Sequence, residues 1–247
     1  MRRLQDEFDG SLRFTYVMSG MLRARGDPLW LIGEMLEASE SGMPVDPRLW
    51  LDGAPASSYP ACVAVKAAAD QGHEARYLRR LREGFQCRRR KLDGGESLLE
   101  EARMLGGFDV ERFRIDLGSH ATLEAFGADL ERARSVSDEH KAPGTGRVVL
   151  PALEFEGDRQ ASAVYGYADY TALRDAALAA GAQPRPGAER APTVEEALRR
   201  LQPMATAEVA AVCQLPGPRA PAELWRLASE WRVRPERLGS GELWALA

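Results

Sequence analysis

A block of helical periodicity, from Tyr59 to about Arg134, restricts the fold of this chain more than any other feature of the sequence. Within it, apolar residues recur at intervals of three and four, and glycines such as Gly72 and Gly106 separate successive segments. The pattern predicts four or five consecutive helices, because no segment between them alternates in the manner of a strand. We therefore expect an all-helical insertion at about 57–137.

Strand-like segments occur on either side of this helical block. Residues 12–18 (LRFTYVM) alternate in polarity and are rich in aromatic and β-branched side chains, which predicts a strand. Residues 147–157 and 160–167 predict two further strands, and the short connection between them indicates an antiparallel hairpin. An amphipathic helix follows and ends near Gly181. This order of elements predicts an α/β fold with a small mixed sheet.

The C-terminal part of the chain has its own organisation. Residues 183–192 are rich in proline and glycine, as linkers are, and Thr193 and Glu196 have the spacing of a capping box. Beyond them, three helical segments and a hairpin predict a small helical, winged-helix-like domain at 193–247. We therefore predict a first domain at 1–182, a linker at 183–192 and this C-terminal domain.

The charge of the C-terminal domain argues against DNA binding, which a winged-helix order would otherwise suggest. Residues 193–247 contain seven arginines and seven glutamates, whereas a DNA-binding domain usually concentrates basic side chains on one face. The tryptophans Trp225, Trp231 and Trp244 are therefore predicted to pack this domain or to dock it on the first one.

Composition excludes several other classes of function. Lysine and arginine number 33 against 37 acidic residues, so the formal charge of −4 gives no field that favours nucleic acid or an anionic membrane. The first residues are polar and no apolar run has the length of a membrane span, which predicts a cytoplasmic protein. Three cysteines cannot form a disulfide scaffold, and no cysteine or histidine lies at metal-ligand spacing from another. No metal site and no cofactor site is predicted.

Four segments carry a resemblance to a known family: SSYPACVAVKAA (57–68), YLRRLREGFQCRRRKLDGGESLLEEAR (77–103), DVERFRIDL (109–117) and VVLPALEF (149–156). They resemble the DsbA family of thioredoxin-fold dithiol-disulfide oxidoreductases and isomerases, in its FrnE-like cytoplasmic branch. The similarity covers about 1–181 and implies a thioredoxin-like fold with a helical insertion. Relatives with this middle region also include adaptors that bring a transcription regulator to the ClpXP protease.

The redox motif of that family has no counterpart in this sequence. Members open with a strand and then a Cys-x-x-Cys at the start of the first helix, and this chain is expected to begin after that point. None of Cys62, Cys87 and Cys213 occupies the motif position. The resemblance therefore implies a thiol-disulfide oxidoreductase-like or isomerase-like protein without redox activity in this chain, which leaves open whether it is an enzyme.

Two alternatives to that function follow from the same resemblance. One is a non-enzymatic adaptor or peptide-binding module on a DsbA-like scaffold, of the protease-adaptor type. The other is a glutathione-dependent isomerase that shares the helical insertion, but such an enzyme needs a serine or cysteine at the start of the first helix, which is absent here.

Pro151 stands inside a predicted strand, where a proline is expected only at the start of the strand or at a bend. The resemblance implies that Leu150–Pro151 is a cis peptide bond and that the backbone beside it pairs with an extended substrate peptide. We therefore predict Leu150 and Pro151 as substrate-binding residues, and no catalytic residue. The predicted partner is a protein or peptide, as a thiol or disulfide substrate or as the partner of an adaptor, and neither nucleic acid nor a membrane.

Several other residues have two interpretations. Cys62 follows Pro60 near a helix start, where the helix dipole favours a thiolate, but its apolar neighbours favour packing in the core. Cys87 precedes the basic run Arg88–Lys91, which favours a thiolate if Cys87 is exposed and a partly buried helix residue if it is not. The run itself predicts either a phosphate contact or, because acidic residues flank it, a solvated helix surface. Cys213 is predicted to lie in the core.

Overall fold

The computed structural model describes the whole chain, Met1–Ala247. Its helices are α1 (Arg2–Glu7), α2 (Pro28–Ser39), α3 (Arg48–Asp52), α4 (Tyr59–Ala69), α5 (Glu74–Gln86), α6 (Gly95–Leu105), α7 (Val110–Leu117), α8 (His120–Arg134), α9 (Tyr170–Ala179), α10 (Val194–Leu201), α11 (Thr206–Val212) and α12 (Arg219–Ser229). Its strands are β1 (Ala152–Phe155), β2 (Ser162–Tyr165), β3 (Met204–Ala205), β4 (Val233–Leu238) and β5 (Gly241–Leu246).

The chain divides into two compact units. The helical unit comprises Phe14–Leu36 and Asp46–Val149, and the hairpin unit comprises Met1–Arg13, Glu37–Val45 and Leu150–Ala247.

Five consecutive helices, α4 to α8, form the body of the helical unit and confirm the predicted helical block. Two of them begin where a side chain caps the first backbone N–H groups: Asp109 accepts from the N–H of Arg112, and Ser119 accepts from that of Thr122. Their apolar faces meet around Tyr77, whose hydroxyl donates to the Leu98 carbonyl oxygen at 2.8 Å and is thereby satisfied inside the core.

The hairpin unit contains the predicted antiparallel hairpin. Strands β1 and β2 pair from Ala152 opposite Tyr165 to Phe155 opposite Ser162. Helix α9 follows, and the Ser162 hydroxyl donates to the Ala176 carbonyl oxygen of that helix at 2.8 Å. The α/β class predicted from the order of elements is therefore confirmed.

The same unit carries the predicted C-terminal arrangement of helices and a hairpin. Helices α10, α11 and α12 pack against a three-stranded sheet in the order β3-β5-β4, and Thr193 and Glu196 form the predicted capping box. The winged-helix-like order is thus present. The division into a domain at 1–182 and another at 193–247 stays a prediction.

The strand predicted at 12–18 is wrong, since these residues form no strand in the structure. Side chains of the helical unit satisfy the backbone that a neighbouring strand would otherwise pair with. The N–H of Met18 donates to the Asp129 carboxylate at 2.9 Å, and the Tyr16 carbonyl oxygen accepts from the Lys66 ammonium at 3.3 Å. An alternating pattern marks an extended segment, but a strand also needs a partner strand.

The packing prediction for the C-terminal tryptophans is only partly right. Trp244 is buried and meets the ring of Trp225 edge-on, with centroids 5.0 Å apart. The prediction is wrong for Trp231, because its side chain is 87% exposed just beyond the end of α12. None of the helices in the structure combines the length and the apolar content that crossing a bilayer requires.

Candidate functional site

The predicted substrate-binding pair lies at the entrance to the hairpin. The Leu150–Pro151 peptide bond is cis, as the resemblance implies, and β1 begins at the next residue, so the proline stands before the strand rather than within it. The Pro151 carbonyl oxygen accepts from the N–H of Gly166 at 2.8 Å, and the Leu150 side chain is 39% exposed. Because β1 pairs only with β2, its other edge carries no strand.

All three cysteines are at least half-buried. Cys62 lies in the first turn of α4 and is half-buried, and Cys213 is buried, as the sequence predicts. Cys87 is also buried and follows the last residue of α5, so it is neither an exposed thiolate nor a partly buried helix residue. Burial raises the pKa of the Cys62 thiol to about 11 and that of Cys213 to about 12, so desolvation outweighs any effect of the helix dipole on Cys62. The Cys87 thiol donates to the Glu83 carbonyl oxygen at 3.3 Å. None of the three is disulfide-bonded.

These thiols are expected to react slowly. At about pH 8, alkylation of Cys62 by iodoacetamide should be at least about 100-fold slower than that of free cysteine, because a thiol of pKa about 11 is far less ionised than one of about 8.5. Peptide mass spectrometry across a series of pH values measures the rate, which should keep rising above pH 9. A rate equal to that of free cysteine, or one that levels off near pH 7, would contradict this expectation.

The basic run Arg88–Lys91 follows α5 instead of forming a helix surface, and its arginines are paired within the chain. Arg88 contacts Glu83 at 3.3 Å, and Arg89 contacts Asp46 at 3.4 Å. Arg90 contacts both Glu100 and Glu101. The phosphate interpretation therefore loses its basis, because the arginines that it requires neutralise acidic side chains of the same unit.

Ion pairs also neutralise the exposed side of α12. Arg226 lies between Glu223 at 2.8 Å and Glu230 at 2.5 Å, and Arg232 contacts Glu230 and Glu195. These guanidinium groups hold the pKa of Glu230 below its usual range, with the largest contribution from Arg232. Helix α12 thus carries alternating charges in place of the concentrated positive charge that DNA binding usually requires.

Sequence reasoning missed an exposed apolar surface on α2. The apolar stretch around Leu29–Leu36, which interrupts a segment rich in glycine and proline, lies within a helix of 12 residues. Its start has a signal that could have been recognised: Asp27 accepts from the N–H of Leu29 at 2.9 Å, and Pro28 occupies the first helical position. Leu29 is exposed and Trp30 is 55% exposed. We call these two side chains the α2 surface.

Helix α3 extends the apolar character of this region. The Trp50 indole donates to the Met35 sulfur at 2.7 Å, which fixes α3 against α2, and the neighbouring Leu51 is exposed. Large exposed apolar side chains often mark a protein-binding site when they form a continuous patch.

Comparison with known proteins identifies the class to which these features belong. The thioredoxin family model matches residues 1–142, and the chain belongs to the thioredoxin family. The predicted thioredoxin-like fold is thereby confirmed.

Two curated relatives are similar over nearly the full length of the chain. One is the ClpXP adapter protein SpxH of Halalkalibacterium halodurans, which is 26% identical over 267 aligned positions that cover 99% of this chain and 81% of the relative. The other is the ClpXP adapter protein SpxH of Shouchella clausii, which is 25% identical over 99% of this chain and 81% of the relative.

Proposed function

We propose that this protein is a non-enzymatic adaptor that binds another protein and presents it to the ClpXP protease. The α2 surface is the observation that carries the proposal, because a tryptophan and a leucine exposed on consecutive residues of one helix offer a protein partner an apolar contact. The similarity to two proteins named ClpXP adapters, over 99% of this chain, supplies the type of adaptor. A cytoplasmic location, which the sequence predicts, belongs to this proposal.

The energetics of protein interfaces favour Trp30 as the main contact. Interfaces draw most of their binding free energy from a few large side chains, among which tryptophan is enriched. Trp30 leaves about half of its surface for a partner to cover. Leu29 and Leu51 add apolar area on the same helix and on the helix that contacts it.

Leu150 and Pro151 provide a second contact in this proposal. An extended segment of the bound protein would lie along the side of β1 that carries no strand, and the exposed Leu150 side chain would contact it. This assignment keeps the substrate-binding role predicted for the pair. It changes the ligand from a peptide that undergoes thiol exchange to one that is only held.

The second candidate function is the thiol-disulfide oxidoreductase or isomerase activity of the DsbA-like branch. Membership of the thioredoxin family favours it. Its chemistry requires a thiolate of lowered pKa and a second thiol near it, whereas burial raises the pKa of both Cys62 and Cys213. We therefore rank it below the adaptor.

An affinity-tagged chain in the organism that encodes it tests the adaptor proposal. At least one protein that copurifies with the tagged chain should have a longer half-life in cells that lack the chain, and also in cells that lack ClpX. Trp30→Glu should weaken the binding of that protein by at least about 30-fold, because the loss of a central apolar anchor costs about 2 kcal/mol or more. Leu150→Glu should weaken it by a smaller factor.

Two substitutions of the same kind at other exposed positions are the controls. Trp231→Glu and Leu123→Glu introduce the same charge at an exposed tryptophan and an exposed leucine outside the proposed contacts, so they should leave binding unchanged. Equal loss in a contact variant and its control would contradict the assignment of the surface. Unchanged half-lives of all copurifying proteins in both deletion strains would overturn the adaptor function itself.

A further inference from the structure

A cleft in the helical unit gathers three arginines and no carboxylate. It has a volume of about 300 Å³, and its lining includes Arg23, Arg134 and Arg147, together with Met21 and Tyr59. The arginines come from three places in the chain: the loop before α2, the last turn of α8 and the loop before β1. We call this feature the arginine cleft.

The fold holds the floor of the cleft in place. Arg147 donates to the carbonyl oxygens of Gly20 and Met21 at 3.0 and 3.1 Å, and so fixes the loop that forms one wall. Gly20 has a φ of +62°, and a Cβ at this position would lie 2.8 Å from both the Tyr59 ring and the Leu130 side chain. Only glycine allows this close approach, which places the loop against the start of α4.

The two remaining arginines have no acidic partner. Most arginines near the helical core are paired, as in the run Arg88–Arg90, whereas the guanidinium groups of Arg23 and Arg134 form no salt bridge. Two unpaired, exposed guanidinium groups beside a third make a site of positive potential, and the fork of N–H donors on each of them fits an oxyanion.

Exposure decides between a small molecule and a protein segment as the ligand. Sites for small molecules usually bury most of the ligand surface, whereas Arg23, Arg134 and Met21 are all exposed. The thioether of Met21 and the ring of Tyr59 also offer apolar contacts next to the cations. An acidic peptide matches both features of the cleft: its carboxylate can contact the arginines, and its apolar groups can contact Met21 and Tyr59.

We propose that the arginine cleft binds a carboxylate side chain in an acidic segment of a protein partner. The inference rests on the proposed adaptor function in one respect, the choice of a protein as ligand. It adds the chemistry of recognition, which is a charge-assisted contact separate from the apolar α2 surface.

Peptide binding to the purified full chain tests this inference without any protease, so its result does not depend on the adaptor assay. The probe is fluorescein-labelled Gly-Glu-Leu-Glu-Gly-Glu with an amidated C-terminus, and fluorescence anisotropy measures its affinity. Arg134→Gln and Arg23→Gln should each weaken binding by at least about tenfold, and added salt should weaken binding to the unaltered chain. The counterpart peptide with glutamine in place of each glutamate should not bind.

Arg103→Gln is the matched control, because Arg103 is an exposed arginine in the last turn of α6, as Arg134 is in the last turn of α8. It should leave the affinity unchanged. No binding of the glutamate peptide, equal binding of the glutamine peptide, or equal loss in Arg103→Gln would each overturn the proposal. Displacement of the peptide by inorganic phosphate well beyond that caused by sodium chloride of the same ionic strength would assign the cleft to phosphate and overturn it as well.

Discussion

Replacing Glu101 with glutamine is expected to destabilise the helical unit by about 3 kcal/mol, because removing one partner of a buried ion pair leaves charge without compensation. Glu101 is only 1% exposed and lies on α6. Its two carboxylate oxygens accept from Arg80 on α5 and from Arg90, the latter at 2.9 Å. With a neutral amide at this position, the largely buried Arg80 guanidinium would lose its acidic partner, whereas Arg90 would keep Glu100.

Glu100→Gln is the control for this prediction. Glu100 also accepts from Arg90, at 2.5 Å, but it is 53% exposed, and an exposed pair of this kind contributes at most about 1 kcal/mol. Urea unfolding of both variants measures the difference, and hydrogen exchange of α5 and α6 peptides assigns it to the helical unit, because a chain with two compact units need not unfold in one step. Equal shifts in the two variants would show that burial does not set the strength of this ion pair.

The helical block could be predicted because its signals are local. Glycines near its helix ends and apolar spacings along its helices depend only on neighbouring residues, and the same is true of the capping box at Thr193 and Glu196. The β1–β2 hairpin was likewise predictable, since a short connection brings its strands together. The start of β1 directly after Pro151 agrees with a local rule, because a proline is expected at the start of a strand or at a bend.

The failures concern features that depend on distant parts of the chain. Residues 12–18 have strand-like alternation, but Asp129 and Lys66, far away in sequence, take their backbone groups. Trp231 has the large apolar side chain that is typical of a core, yet its position just past α12 leaves it exposed to solvent. Tertiary contacts decide such cases, and the pattern of one segment does not contain them.

The candidate site was predictable in one part only. Leu150 and Pro151 were found through a resemblance, and their binding role stays a prediction. The arginine cleft was not found, because Arg23, Arg134 and Arg147 are far apart in sequence and meet only through the packing of α4, α8 and their loops. The basic run Arg88–Lys91 is the opposite case. Its arginines are adjacent in sequence and suggest one basic site, but each forms an ion pair with a different acidic side chain.

Replacing Trp244 with alanine is expected to destabilise the C-terminal part of the hairpin unit by about 3–5 kcal/mol, the usual cost of a large cavity in a core. Trp244 is fully buried on β5, the central strand of its sheet. Its ring meets Trp225 edge-on, and its indole N–H donates to the Thr206 hydroxyl at 2.9 Å. The substitution removes the apolar contacts, the aromatic pair and this hydrogen bond together.

Trp231→Ala separates the effect of burial from the effect of losing a tryptophan. The Trp231 side chain is 87% exposed, so its removal should change the stability by no more than about 0.5 kcal/mol. Hydrogen exchange of peptides from β4 and β5 measures both variants and avoids the change in fluorescence that any tryptophan substitution causes. Faster exchange in Trp244→Ala alone is the expected result, because exchange of these strands requires opening of the core that Trp244 fills. Equal acceleration in both variants would contradict the prediction, because it would show that the exposed Trp231 ring stabilises the strands as much as the buried Trp244 ring does.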